Sequence, residues 1–232
     1  MAGQHNLTTP PPGVSLVFED PHLLVLDKPS GLLAVPGRGP DKQDCLSARV
    51  QAIWPDALVV HRLDMATSGL VVMARGLEAQ RRLSLAFEKR QVFKRYLAIV
   101  TGELPNPQPD NGWNTIDLPL LPDWLNRPRS IVNHETGKPS VTHWRLASAE
   151  PRKVPVLHAG IATRVELEPV TGRTHQLRVH LQAVGHPILG DPLYADPACA
   201  SAADRLMLHA KMLAFPHPAA DETLHFESPC PF

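Results

Sequence analysis

Within His61-Arg62-Leu63-Asp64-Met65-Ala66-Thr67-Ser68-Gly69-Leu70 a single carboxylate, Asp64, sits beside a cation and just ahead of a Thr-Ser-Gly turn. The apolar residues 57–60 and 70–74 on either side read as buried strands, so the polar segment must emerge at a sheet edge or cleft. A carboxylate placed there can act as nucleophile or general base. The same residues also make an ordinary turn, with Asp64, Thr67 and Ser68 bonding nearby backbone and Gly69 at positive φ. Local chemistry leaves both readings open.

Other reactive side chains carry a similar ambiguity. Arg173 is a planar, two-pronged donor of the kind that keeps a buried carboxylate ionised, and is equally a surface or phosphate-binding arginine. Tyr96, alone in a strand pattern, reads as a half-buried core residue. Asp191 lies in Gly190-Asp191-Pro192, where a turn role is the plain one. His175, His180 and His186 come without HExxH or another ligand spacing, and Cys45, Cys199 and Cys230 are odd in number and widely spaced. A metal site and a disulfide framework are therefore not expected, and the thiols should be reduced.

Further blocks accompany the Asp64 segment in a fixed order: Lys28-Pro29-Ser30-Gly31-Leu32, Lys94-Arg95-Tyr96, Gly172-Arg173-Thr174-His175-Gln176-Leu177-Arg178, Gly190-Asp191-Pro192-Leu193-Tyr194 and Leu208-His209-Ala210. Together they resemble the RluA family of pseudouridine synthases over about residues 16 to 218. The resemblance implies that Asp64 is the catalytic carboxylate, that Arg173 pairs with it and lowers its pKa, and that Tyr96 packs its ring on the uracil with its hydroxyl available for proton transfer. Arg62 resembles the residue that enters the RNA loop in place of the extruded base, though it can also simply hold the motif turn. Leu177, with residues 179–181, is read as an apolar wall that keeps water from the reacting C1′. Lys28 and Arg178 fit either phosphate contact or structural pairing, and both are grouped with Arg62 and Lys94 as RNA-binding cations. The segments 123–128 and 135–139 look most like the RluA branch proper, which implies a uridine in a stem-loop of large-subunit (23S) ribosomal RNA, in the tRNA anticodon arm, or in both.

The implied reaction breaks the N1–C1′ bond, turns the captive uracil and joins C5 to C1′, so nothing is oxidised and no group is imported. One carboxylate suffices for that, where a glycoside hydrolase is expected to use two in opposition. No cofactor is expected, and the target base must leave its stack. Two alternatives remain: a non-catalytic RNA-binding or ribosome-assembly module, and a base-releasing nucleoside hydrolase working through Asp64.

The elements that must position these residues read as strands with irregularly interspersed helices: strands over 14–18, 23–26, 93–100, 140–147, 161–167, 206–215 and 223–226, and helices over 45–54, 77–90 and 174–184. That pattern gives an α+β fold, and the resemblance implies a central, largely antiparallel mixed sheet with flanking helices and an active-site cleft. Residues 1–13, with three prolines at 10–12, read as a mobile leader, residues 14–232 as the catalytic domain without a separate amino-terminal RNA-binding domain, and residues 102–139 as a long irregular loop.

At 43% apolar and 20% charged the chain can fill a core, which excludes disordered and fibrous classes. No apolar run approaches the ~20 residues of a membrane span and no secretory signal is visible, so a cytoplasmic monomer without a membrane partner is expected. Net charge is zero, yet Arg75, Arg81, Arg82, Lys89, Arg90, Lys94 and Arg95 face only Glu78 and Glu88 in their window. That local excess reads either as an RNA-contacting patch or as the solvated side of a helix whose apolar stripe is Leu77, Leu83, Leu85, Ala86 and Phe87.

Overall fold

A computed structural model describes residues 9–104, 112–147, 153–156 and 160–232. In chain order the elements are β1 (Ser15–Glu19), β2 (Leu23–Lys28), α1 (Leu46–Gln51), β3 (Ala57–Val59), β4 (Ser68–Arg75), α2 (Leu77–Glu88), β5 (Phe93–Thr101), β6 (Asn114–Asp117), β7 (Leu120–Pro122), β8 (Ser130–Val132), β9 (Val141–Leu146), β10 (Lys153–Val156), β11 (Gly160–Pro169), α3 (Gln176–Ala183), α4 (Pro197–Ser201), β12 (Leu208–Pro216) and β13 (Thr223–Glu227). The class is α+β. None of the described helices is long and apolar enough to cross a membrane.

The chain gathers into two compact units, one running to Val92 and joined by Ala214–Ser228, the other comprising Phe93–Leu213 with Pro229–Phe232. In the first, β2 pairs antiparallel with β1 and with β4, and β3 pairs with β4. Residues Leu23–Leu26 of β2 and Leu70–Ala74 of β4 are buried without alternation, which is why both read as continuous apolar runs in the sequence. The α2 face that meets the strands is narrower than the expected stripe: Ala79, Leu83 and Ala86 are buried while Leu77 and Leu85 are exposed. Asp20 closes the β1–β2 turn, its Oδ1 accepting from the amides of His22 (2.6 Å) and Leu23 (2.8 Å).

In the second unit β11 pairs antiparallel with β5, β9 and β10, and β9 with β6. The register sets Tyr96 of β5 opposite Leu167 of β11. Strands β7 and β8 form a separate hairpin, with Leu120 opposite Val132. Leu120, Val179 and Tyr194 form a buried apolar cluster beneath it. Here the irregular-loop expectation for 102–139 fails: β6, β7 and β8 lie inside it, although residues 105–111 fall outside the described part. Strands of three or four residues are too short to show a period, and their pairing comes from β9 and from each other. The unforeseen α4 did carry a signal, since Asp196 caps it by accepting from the Cys199 amide (2.9 Å) and Pro197 opens its first turn.

The amino-terminal leader lies outside the described residues as far as residue 8. Its described end is tied down: the Val14 amide donates to the Pro11 carbonyl (3.1 Å) and Arg49 Nη1 to that of Pro12 (2.8 Å).

Candidate active site

Asp64 begins a tight turn in which the Thr67 amide donates back to its carbonyl (3.1 Å), and Gly69, at φ 113°, lets the chain enter β4. The turn is strapped from the neighbouring Lys28–Leu32 loop. The Gly31 amide donates to the Met65 carbonyl (2.8 Å), Ser30 Oγ to that of Ala66 (2.7 Å), and Lys28 Nζ to that of Met65 (3.1 Å). On the amino-terminal side His61 Nε2 accepts from the Val72 amide (3.0 Å), which puts the imidazole proton on Nδ1, and the ring stacks on Phe87 with centroids 4.6 Å apart. A half-buried carboxylate is thus held on a short span fastened at both ends, with Arg62 exposed beside it. Two separated sequence blocks therefore serve one turn.

Lys28 requires a correction. It is fully buried, and its ammonium donates to the carbonyls of Pro29 (2.9 Å) and Leu32 (2.7 Å) as well as Met65. With backbone carbonyls accepting from it and no part of it exposed, it holds the Asp64 turn and is not presented to a phosphate.

In the second unit Lys94 and Tyr96 share one face of β5, both half-buried, and burial pushes the Lys94 ammonium below the usual lysine range. Arg95, on the opposite face, donates Nε to Glu168 (2.8 Å). Arg173 is exposed in the turn ahead of α3. That turn is organised by buried Gln176, whose Oε1 accepts from the Arg173 amide (3.0 Å) and Thr171 Oγ1 (2.7 Å) while its Nε2 donates to the Val141 carbonyl (2.9 Å). His175 follows in the left-handed region at φ 56°, its Nδ1 2.7 Å from the Tyr194 hydroxyl. Leu177 is buried in the first turn of α3.

Arg178 is the second correction. It is buried and makes a bidentate pair with Asp191, Nε to Oδ2 at 2.8 Å and Nη2 to Oδ1 at 2.7 Å, so it is not an RNA-facing cation. Asp191 Oδ1 also accepts from the amides of Leu193 (2.9 Å) and Tyr194 (3.2 Å), which is the turn role its sequence setting indicated. Gly190 beside it has φ 72°, and a Cβ there would lie 1.9 Å from the Arg205 carbonyl oxygen, so only glycine fits.

The basic window is less cationic than its sequence. Arg75 is paired with Glu19 (3.4 Å) and Asp56 (3.1 Å), Arg82 with Glu78 (2.9 Å), and Arg95 with Glu168, acids that mostly lie outside the window counted. Among the described residues no group of three or more His, Cys, Asp or Glu is close enough to hold a metal ion. His180 Nδ1 and Nε2 lie against Thr142 Oγ1 (2.9 Å) and the Leu118 carbonyl (3.0 Å).

Residues 22–183 match the RNA pseudouridylate synthase family. The chain belongs to that family. It is 44% identical over 231 residues to the dual-specificity RNA pseudouridine synthase RluA of Escherichia coli (strain K12), covering 99% of this chain and 100% of that protein. It is 46% identical over 217 residues to the protein of the same name from Yersinia pestis, covering 94% and 99%. Among solved structures, human RNA pseudouridylate synthase domain containing 1 is similar with a TM-score of 0.75 at 28% identity, over 94% of this chain and 84% of that one. Human RNA pseudouridylate synthase domain containing 4 shares the fold, with a TM-score of 0.68 at 24% identity over 93% and 88%. The protein is an RNA pseudouridine synthase, an isomerase. Neither a non-catalytic module nor a base-releasing hydrolase is favoured.

Two anchors of the Asp64 turn have roles that their sequence pattern does not indicate. Ser30 and His61 lie inside quoted blocks, but only the fold shows that each fastens the Asp64 turn.

Proposed function

We propose that this enzyme isomerises uridines in stem-loops of both large-subunit ribosomal RNA and the tRNA anticodon arm. The full-length similarity to relatives whose name carries dual specificity supports that substrate range. Asp64 is the reacting carboxylate, acting as nucleophile or base while the N1–C1′ bond is exchanged for C5–C1′. Tyr96 packs on the uracil and moves a proton through its hydroxyl, Arg173 is the cationic partner of the carboxylate, and Leu177 contributes to excluding water. Arg62 fills the place of the extruded base, a role suited to a guanidinium that stacks and bonds phosphate together. The enzyme works as a cytoplasmic monomer without a cofactor.

The observation that carries the reading is the Asp64 turn, fastened by Lys28, Ser30, Gly31 and His61 with the carboxylate half-buried and Arg62 exposed next to it. Carbodiimide-dependent primer-extension stops on stem-loops of both RNA classes test it. Asp64→Asn is expected to abolish the stops while RNA affinity stays within about tenfold, or 1.4 kcal/mol. Turnover by that variant, free of wild-type enzyme, would remove Asp64 from the chemistry.

A further inference from the structure

The β7–β8 hairpin presents Asp123–Arg129 at its tip, where Trp124 is 68% and Leu125 96% exposed. Lone exposed apolar residues are ordinary, but two large adjacent ones on an ordered tip form a contact surface. The tip is closed by its own hydrogen bonds. The Asp123 amide donates to the Arg129 carbonyl (2.9 Å) and the Arg129 amide to that of Asn126 (3.0 Å). The Asn126 amide and Nδ2 donate to the Asp123 carboxylate at 3.1 and 2.9 Å. The side chains are therefore displayed on a preorganised support.

The hairpin is also fixed to the turn that bears Arg173. Leu120 and Val132 pack with Val179 and Tyr194, the Ser130 amide donates to the Tyr194 hydroxyl (2.7 Å), and that hydroxyl can donate in turn to His175 Nδ1. One tyrosine thus holds both the hairpin, at the end of its ladder next to the tip, and the residue two beyond Arg173.

Charge identifies the occupant. The Arg127 guanidinium lies 3.5 Å from the Trp124 ring centroid and covers one face, while the exposure of the indole leaves the other to solvent. Arg127 and Arg129 are both exposed, Arg129 also lying over the Tyr194 ring (5.4 Å), and against them the tip carries a single acid, Asp123, so the tip keeps a net positive charge. An open aromatic face flanked by cations suits a planar base between phosphates, whereas an apolar protein surface would strand two arginines.

We infer that the Trp124–Leu125 tip is a second RNA contact of the enzyme, stacking an unpaired base of the substrate on the indole while Arg127 and Arg129 meet the adjacent phosphates. This rests on the RNA-modifying function above and adds a binding subsite remote in sequence from Asp64. Leu125 wedges beside the stacked base. The contact is tolerant of base identity, because every base offers a π-face.

The test uses the full-length protein and an RNA stem-loop on which the wild type forms pseudouridine. Trp124→Ala is expected to raise the Kd about tenfold or more, as loss of one base–aromatic stack does, and Trp124→Phe to recover most of the loss. Ile161→Ala, removing an exposed apolar side chain elsewhere (49%), should leave the Kd unchanged. With 5-bromouridine scanned through the unpaired positions, at least one should crosslink to the peptide containing Trp124. Unchanged affinity of the alanine variant together with no crosslink from any unpaired position overturns the inference. So does concentration-dependent self-association in sedimentation that Trp124→Ala abolishes, which would give the surface to a second copy. Failure of the wild type to modify any RNA strikes instead at the proposed function, since affinity and crosslinking read binding alone.

Discussion

A buried lysine ringed by carbonyls does structural work that its position in a reactive-looking motif conceals. Lys28 Nζ supplies protons to Pro29, Leu32 and Met65, so Lys28→Met leaves those oxygens without their charged donor inside a dry region. Urea unfolding should show the variant destabilised by about 2–4 kcal/mol, the range for breaking a buried charged hydrogen-bond set. RNA affinity should keep its full salt dependence, because no phosphate contact has been removed. A phosphate-binding lysine would instead reduce the slope of log K against log salt by about 0.7–0.9. The two readings that the sequence leaves open thus separate in one pair of titrations. Tyr96→Phe belongs to the same scale: the ring still packs while the hydroxyl is gone, so turnover is expected to fall about a hundredfold or more, the span of one general acid–base group, at nearly unchanged affinity. Single-turnover kinetics with saturating enzyme check it, and a wild-type rate would take the hydroxyl out of any rate-limiting proton transfer.

At the scale of elements, the Asp20 turn shows how pH should enter stability. Burial raises the Asp20 pKa, but the hydrogen bond from His217 and those from the His22 and Leu23 amides outweigh it and hold the carboxyl below its ordinary range. A depressed folded pKa means that the charged turn stabilises the fold fully above the unfolded value of about 3.9 and loses that contribution as pH falls through the lower folded value. Asp20→Asn should therefore weaken the protein at neutral pH and flatten this part of its acid limb, as read by thermal melts from neutral pH downward. What the sequence revealed follows the same division between local and distant causes. Strands β2 and β4 were legible because unbroken apolar runs announce burial, and the Asp191 turn because Gly-Asp-Pro is a local signal. The hairpin β7–β8 was not, since each strand has three residues and depends on packing against Val179 and Tyr194. In the candidate site the turn at Asp64 was readable from its Thr-Ser-Gly chemistry, but the roles of Lys28 and Arg178 depend on burial and on partners up to 37 residues away, which no local pattern encodes.

At the scale of the whole molecule, 23 basic and 23 acidic residues cancel, and affinity for a polyanion must come from which cations their neighbours leave available. Pairing in the fold sorts the basic window into two groups. Arg75, Arg82 and Arg95 hold nearby carboxylates, so a phosphate must compete with an acid already in place. Lys89 and Arg90, just past α2, are exposed with no ion pair among the described residues, as are Arg62, Arg127 and Arg129. Binding of a stem-loop should accordingly weaken steeply with salt in spite of zero net charge, each phosphate contact adding about 0.7–0.9 to the slope of log K against log salt. The Lys89→Ala, Arg90→Ala double variant is expected to lower that slope by about 1–2, whereas Arg82→Ala, whose charge is spent on Glu78, should leave it unchanged. Equal loss of slope in both variants would mean that the surface ion pairs give way to RNA at little cost, as the small worth of exposed pairs allows, and sequence charge alone would then be the better guide to the RNA-binding face.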